Sequence, residues 1–124
     1  MLHTTMRVAI TTDASGNATV YLGTKIRGYL IALIYRPGTL ETGADLTVTG
    51  ESSGIPILSK LNLGTANSFL YPRALPTNAN SATGPLGTIP SEKIPILNER
   101  IKVVVAQGGN TLSGTIEAIY EAET

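Results

Sequence analysis

Along most of the chain apolar and polar residues alternate one by one, and the three- or four-residue spacing of a helix is nearly absent. Alternation sends successive side chains to opposite faces of an extended backbone, so the pattern predicts half-buried β-strands. In "TMRVAITT" Met6, Val8 and Ile10 share one face, with Arg7 and Ala9 on the other. "DASGN" (13–17) has the composition of a turn, and "NATVYLG" resumes with Ala18, Val20 and Leu22 on one side; the two runs are expected to form a first hairpin. "KIRGYLIALIYR" (25–36) begins alternating and becomes apolar on both faces. That pattern marks a central strand covered on both sides, or a strand at a subunit contact. Gly28, Pro37 and the aromatic and β-branched content favour strand over a short buried helix at 29–34.

"DLTVTGE" (45–51) returns to alternation through Leu46 and Val48, with its threonines outward. In "GIPILSKLNL", Pro56 cannot donate to a ladder, which makes this run an edge strand or the beginning of one. Residues 64–93 are the least regular, and 77–92 is expected to be a long surface loop. In the last third Ile101, Val103 and Val105 share a face, as do Ile116, Ala118 and Tyr120. Gly108, Gly109 and Asn110 between them suit a tight reversal, so 103–116 reads as another hairpin. Seven or eight short strands without crossover helices predict an all-β fold: a small antiparallel β-sandwich or barrel, jelly-roll-like. One domain is expected over 1–124, with a short N-terminal arm at 1–5.

Composition narrows the function more than the fold. A chain of 124 residues buries roughly two-thirds of its unfolded surface and needs no covalent staples. It has no cysteine, which removes disulfides, thiolate nucleophiles and cysteine metal sites. Lys plus Arg and Asp plus Glu number 9 each, and neither sign is concentrated, so no phosphate-neutralising patch points to nucleic acid. The longest apolar stretch, "YLIALIY" (29–35), falls well short of the roughly 20 residues a spanning helix needs. The start, "MLHTTMRVAITT", lacks the order of a signal peptide. Neither a membrane nor a nucleic-acid partner is expected.

Candidate chemistry is sparse. His3 is the only histidine and sits at a fraying end, a poor base for a serine triad, and no cluster has zinc-ligand spacing. "DASGN" lacks the alternate acids and closing glutamate of a calcium loop and is read as a turn in which Asp13 bonds its own backbone. Glu51, Glu92, Glu99 and Glu117 are scattered and expected to face solvent on strand exteriors. "QGGN" (107–110) lies between strands, not before a helix, so it is no phosphate loop. The chain is expected not to be an enzyme and to hold neither cofactor nor metal. Trp is absent, which counts against a sugar platform, and nothing in the residues supports glycan binding. One group stands out: in "FLYPR" (69–73), Tyr71, Pro72 and Arg73 join a rigid anchor to a charged fork and are the candidate partner contact.

The order "TTDASGNATVYLG", "YLIALIYRPGTLETGADLTVTGE", "FLYPRA", "NERIKVVVAQGGNTLSGTIEAI" resembles small virion proteins of tailed bacteriophages and prophages, from about residue 8 to residue 120. The likeness is densest at "GADLTVTGE" and "NERIKVVVAQGG", and carries no contact residues onto the loop at 77–92. It implies a capsid decoration, or cement, protein: a homotrimer made in the host cytoplasm and seated on the capsid exterior where major capsid protein subunits meet. The alternatives are a tail, neck or head-fibre component, a host-receptor-binding virion protein, and a carbohydrate-binding module.

Overall fold

The computed structural model describes residues 2–74 and 92–122, and these form seven β-strands. They are β1 (Leu2–Thr11), β2 (Ala18–Arg36), β3 (Asp45–Gly50), β4 (Pro56–Lys60), β5 (Ser68–Leu70), β6 (Ile94–Ala106) and β7 (Ser113–Ala122). Every strand pair is antiparallel, and all belong to one sheet in the order β1-β7-β2-β6-β3-β4, with β5 also against β2. The all-β, antiparallel expectation holds.

Two strands are not short. β2 runs for 19 residues and β6 for 13, and together they form a bent spine. The first part of β2, residues 18–22, pairs with β6 alone, whereas 28–36 pairs with β7. Between these parts residues 23–25 bulge opposite Arg100, and Asn98 in β6 is an extra residue at φ 57°. Bulges of this kind bend a strand and tighten its twist. Gly28 sits where both neighbours meet, paired to Ile96 of β6 and Ala122 of β7, at φ 152°. A Cβ there would collide with the Glu121 carbonyl oxygen, so only glycine allows β2 and β7 this close.

The bend lets one sheet make its own core. Ile10 of β1, Leu33 and Tyr35 of β2, and Ile116 and Ala118 of β7 are fully buried in the same cluster as Leu46, Val48, Ile101, Val103 and Val105. With no helix among the described residues to cover either half, the sheet must fold over on itself to bury both inner faces. This arrangement is compatible with a small sandwich or barrel. The alternation read from the sequence therefore names the inward residues correctly; the 25–36 run has hydrogen-bonded neighbours on both edges, but its outward face is not fully covered, with Tyr29 41% exposed.

The two expected hairpins at 5–23 and 103–116 do not form. β1 pairs with β7 over ten consecutive positions, Leu2↔Ala122 through Thr11↔Ser113, while β6 and β7 lie on opposite edges of β2. Instead the connections at 12–17 and 107–112 are corners that meet each other. The Thr12 hydroxyl donates to the Gly109 carbonyl at 2.6 Å and accepts from the Leu112 N–H at 2.9 Å, and Gly108 N–H donates to the Gly16 carbonyl at 2.9 Å. Gln107, Gly109 and Thr111 take the positive φ angles, so the reversal is spread over more residues than a tight turn. The hairpin that does form is β3–β4, with Pro56 opening the edge strand β4.

Residues 2–5, expected as an arm, are the first part of β1 and pair with 119–122. Of the loop expected at 77–92, all but Glu92 lies outside the described residues; Glu92 itself bridges to Ala74.

Candidate interaction surface

Asp13, Asp45, Glu51, Glu99, Glu117 and Glu121 are in use within the fold. Glu99, expected to face solvent, is 1% exposed. The αL conformation of Asn98 shifts the register of β6 so that Glu99 turns inward beside the β3–β4 turn. There it accepts from Ser52 N–H (2.7 Å), Ser53 N–H (2.8 Å) and the Ser53 hydroxyl (2.7 Å). Burial pushes the Glu99 carboxyl up, but hydrogen bonds from Ser53, Ser52 and Leu97 outweigh it and hold the acid below the ordinary glutamate range.

Glu117 is also less exposed than expected, because it lies between two arginines. Arg36 of β2 reaches it at 2.9 Å and Arg7 of β1 at 3.1 Å, and these bonds lower its carboxyl. Glu121 is held low in the same way by Lys93 at 2.8 Å and His3 at 3.3 Å. Glu51 pairs with Arg100, whose Nε donates to it at 2.8 Å and whose guanidinium lies 4.2 Å from the centre of the Tyr21 ring. Asp13 behaves as read: its Oδ1 accepts from Ser15 N–H at 2.8 Å and Asn17 N–H at 3.0 Å. Among the described residues no three His, Asp or Glu side chains gather into a cation site.

What remains open to a partner is the outward face along β2. Ile34 lies opposite Phe69 of β5, Tyr29 opposite Pro95 of β6, and Arg27 opposite Leu97. Phe69 is 59% exposed, Tyr71 67%, Leu97 57% and Tyr29 41%. A shallow cavity of about 350 Å³ lies at the β2–β6 end of this strip, lined by Tyr29, Pro95, Ile96, Leu97 and Asn98 among others. The three residues singled out in "FLYPR" separate. Tyr71 projects outward, Pro72 is buried, and Arg73 turns back to donate to the carbonyls of Ile31 (2.9 Å) and Pro72 (2.7 Å). Arg73 thus fixes the segment that presents Tyr71.

Sequence reasoning missed Tyr29 and Leu97. The signal was there in two runs apolar on both faces, "YLIALIY" and "IPIL", which pair with each other at Tyr29↔Pro95 and Leu30↔Ile94. One face of each run goes to the core, and on the other Tyr29 and Leu97 stay exposed.

No family model matches the chain, and no curated protein matches it. Among solved structures it is similar to a chain in a structure of infectious bursal disease virus, Gt strain, at 17% identity and a TM-score of 0.36. The match covers 96% of this chain and 32% of that one, so this chain spans about a third of the length of the viral chain.

Proposed function

We propose that this protein is a non-enzymatic virion structural protein that binds the outside of a phage capsid, where major capsid subunits meet, and stabilises the mature shell. The observation that carries the reading is the outward strip of Phe69, Tyr71, Tyr29 and Leu97. Large aromatic and apolar side chains exposed together, with charged pairs around them, have the composition of an interface centre and rim. Glu99 and Glu117, the carboxylates most withdrawn from water, are tied to backbone, hydroxyl and arginine partners within the fold. Such an assembly works through contact. A protein that binds the mature shell and not its precursor stabilises it by that difference in affinity, and three linked sites in a trimer slow release.

Mixing the purified protein with undecorated, expanded heads tests this. Co-sedimentation and a raised melting temperature of the heads are expected, both weakened by Phe69→Ser with Tyr71→Ser. Binding to host cells or glycans without binding to heads would overturn the capsid reading in favour of a receptor-binding virion protein.

A further inference from the structure

We propose that the outward face of β1, β7 and β2 receives a carboxylate from a partner protein, set between Arg7 and Arg36 and flanked by apolar side chains that cover Ile34 and Phe69. One row of the sheet carries the argument. Arg7 of β1 pairs with Glu117 of β7, Glu117 with Ile34 of β2, and Ile34 with Phe69 of β5. Residues paired directly across strands share a face. The adjacent row, Val8, Ile116 and Tyr35, packs on the core, so this one points outward. Its β1 end is charged and its β5 end is the exposed ring of Phe69.

The charges in this row do not balance. Arg36 lies two residues along β2 from Ile34, on the same face, and its Nη1 donates to Glu117 Oε1 at 2.9 Å. Arg7 Nη2 donates to the same oxygen at 3.1 Å. Two guanidiniums thus stand side by side against one carboxylate, and among the described residues no other acid reaches either of them. Arg100, by contrast, has Glu51 as a partner of its own. The Arg7 side chain is 58% exposed and Arg36 35%, against 15% for Glu117, so donors of both arginines stay open to solvent. A second carboxylate would offset the remaining charge and take those donors in the planar fork that guanidinium presents. Glu121 repeats the pattern on the same face, four residues along β7, where Lys93 and His3 both reach it. A basic surplus beside open apolar surface is complemented by an acid set among apolar residues. The inference rests on the outward strip being an interface, not on the partner being a capsid, and adds what that partner carries.

The probe is the acetylated, amidated peptide Gly-Phe-Thr-Glu-Thr-Phe-Gly, titrated into the full chain at low salt beside its glutamine counterpart, with amide chemical shifts as the readout. The glutamate peptide is expected to bind about fivefold tighter, with the largest shifts at Arg7, Arg36 and Phe69, and to lose that advantage when Arg7→Gln and Arg36→Gln are combined. Arg7→Gln alone keeps Glu117 paired with Arg36 and is expected to reduce the advantage to about twofold, which covers the case of an unstable double variant. Lys102→Gln, beside Tyr21 in the other half of the sheet, is expected to leave it unchanged. Equal binding by the two peptides, no shifts at millimolar peptide, or shifts centred on Tyr21 and Lys102 overturns the proposal. So does self-association of the free protein that shifts the same amides, which assigns the face to a second copy. No capsid enters the experiment, so its failure and a failure to bind heads are told apart.

Discussion

Glu99 carries more of the fold than its place in the sequence suggests. Its carboxylate holds two N–H groups and a hydroxyl of the β3–β4 turn, and charged acceptors of this kind make strong bonds. Glu99→Ala is expected to cost about 2–3 kcal/mol in urea unfolding, and Glu99→Gln about 1 kcal/mol, because the amide keeps an acceptor for both N–H groups. Tyr35 is the opposite case. It is fully buried, and among the described residues its hydroxyl has no hydrogen-bond partner, so burial pushes the phenol up. Tyr35→Phe removes a desolvated polar atom and keeps the ring, with an expected gain of up to about 1 kcal/mol in the same measurement. A loss of 2 kcal/mol or more would show that the hydroxyl is bonded after all. Neither fate was legible in the sequence. Alternation placed Ile10, Leu46, Val48, Val103 and Ile116 inside, but Glu99 breaks the period, because Asn98 at φ 57° turns it across the strand.

Among the elements, β2 decides the architecture. Strand positions were readable because a period of two marks the runs around Met6–Ile10, Leu46–Val48, Ile101–Val105 and Ile116–Tyr120. Partners were not, because pairing depends on bends that alternation does not encode. Local turn chemistry favoured two hairpins; the bulge at 23–25 and the close approach at Gly28 send β6 and β7 to opposite edges of β2 instead. Gly28→Ala should cost about 3 kcal/mol or more, since neither the φ nor the space at that position suits a side chain. A thermal midpoint unchanged by that substitution would contradict the pairing at the crossing. Of the candidate surface, "FLYPR" was legible as an unusual group. The role of Arg73 was not, because its partner Ile31 lies 42 residues away.

For the whole molecule, charge gives a pH signature. Glu51, Glu99, Glu117 and Glu121 are all held below the usual glutamate value of 4.5 in the folded chain. The unfolded chain therefore binds protons more readily as pH falls. The stabilisation from these groups is complete above about pH 4.5 and is lost as pH drops through their lowered folded values. The melting temperature should be flat above that point with respect to these acids and fall below it, and Glu99→Gln should make the fall shallower. An acid limb unchanged by that substitution would remove Glu99 from the account.

The pairing of β1 with β7 bears also on how the chain is made. During synthesis residues 2–11 leave the ribosome long before their partners, 113–122. The nascent chain must carry an unmatched ten-residue β segment until those partners emerge, and contacts so distant in sequence close slowly. A chain halted before residue 113 leaves β1 looking for any other β segment to join.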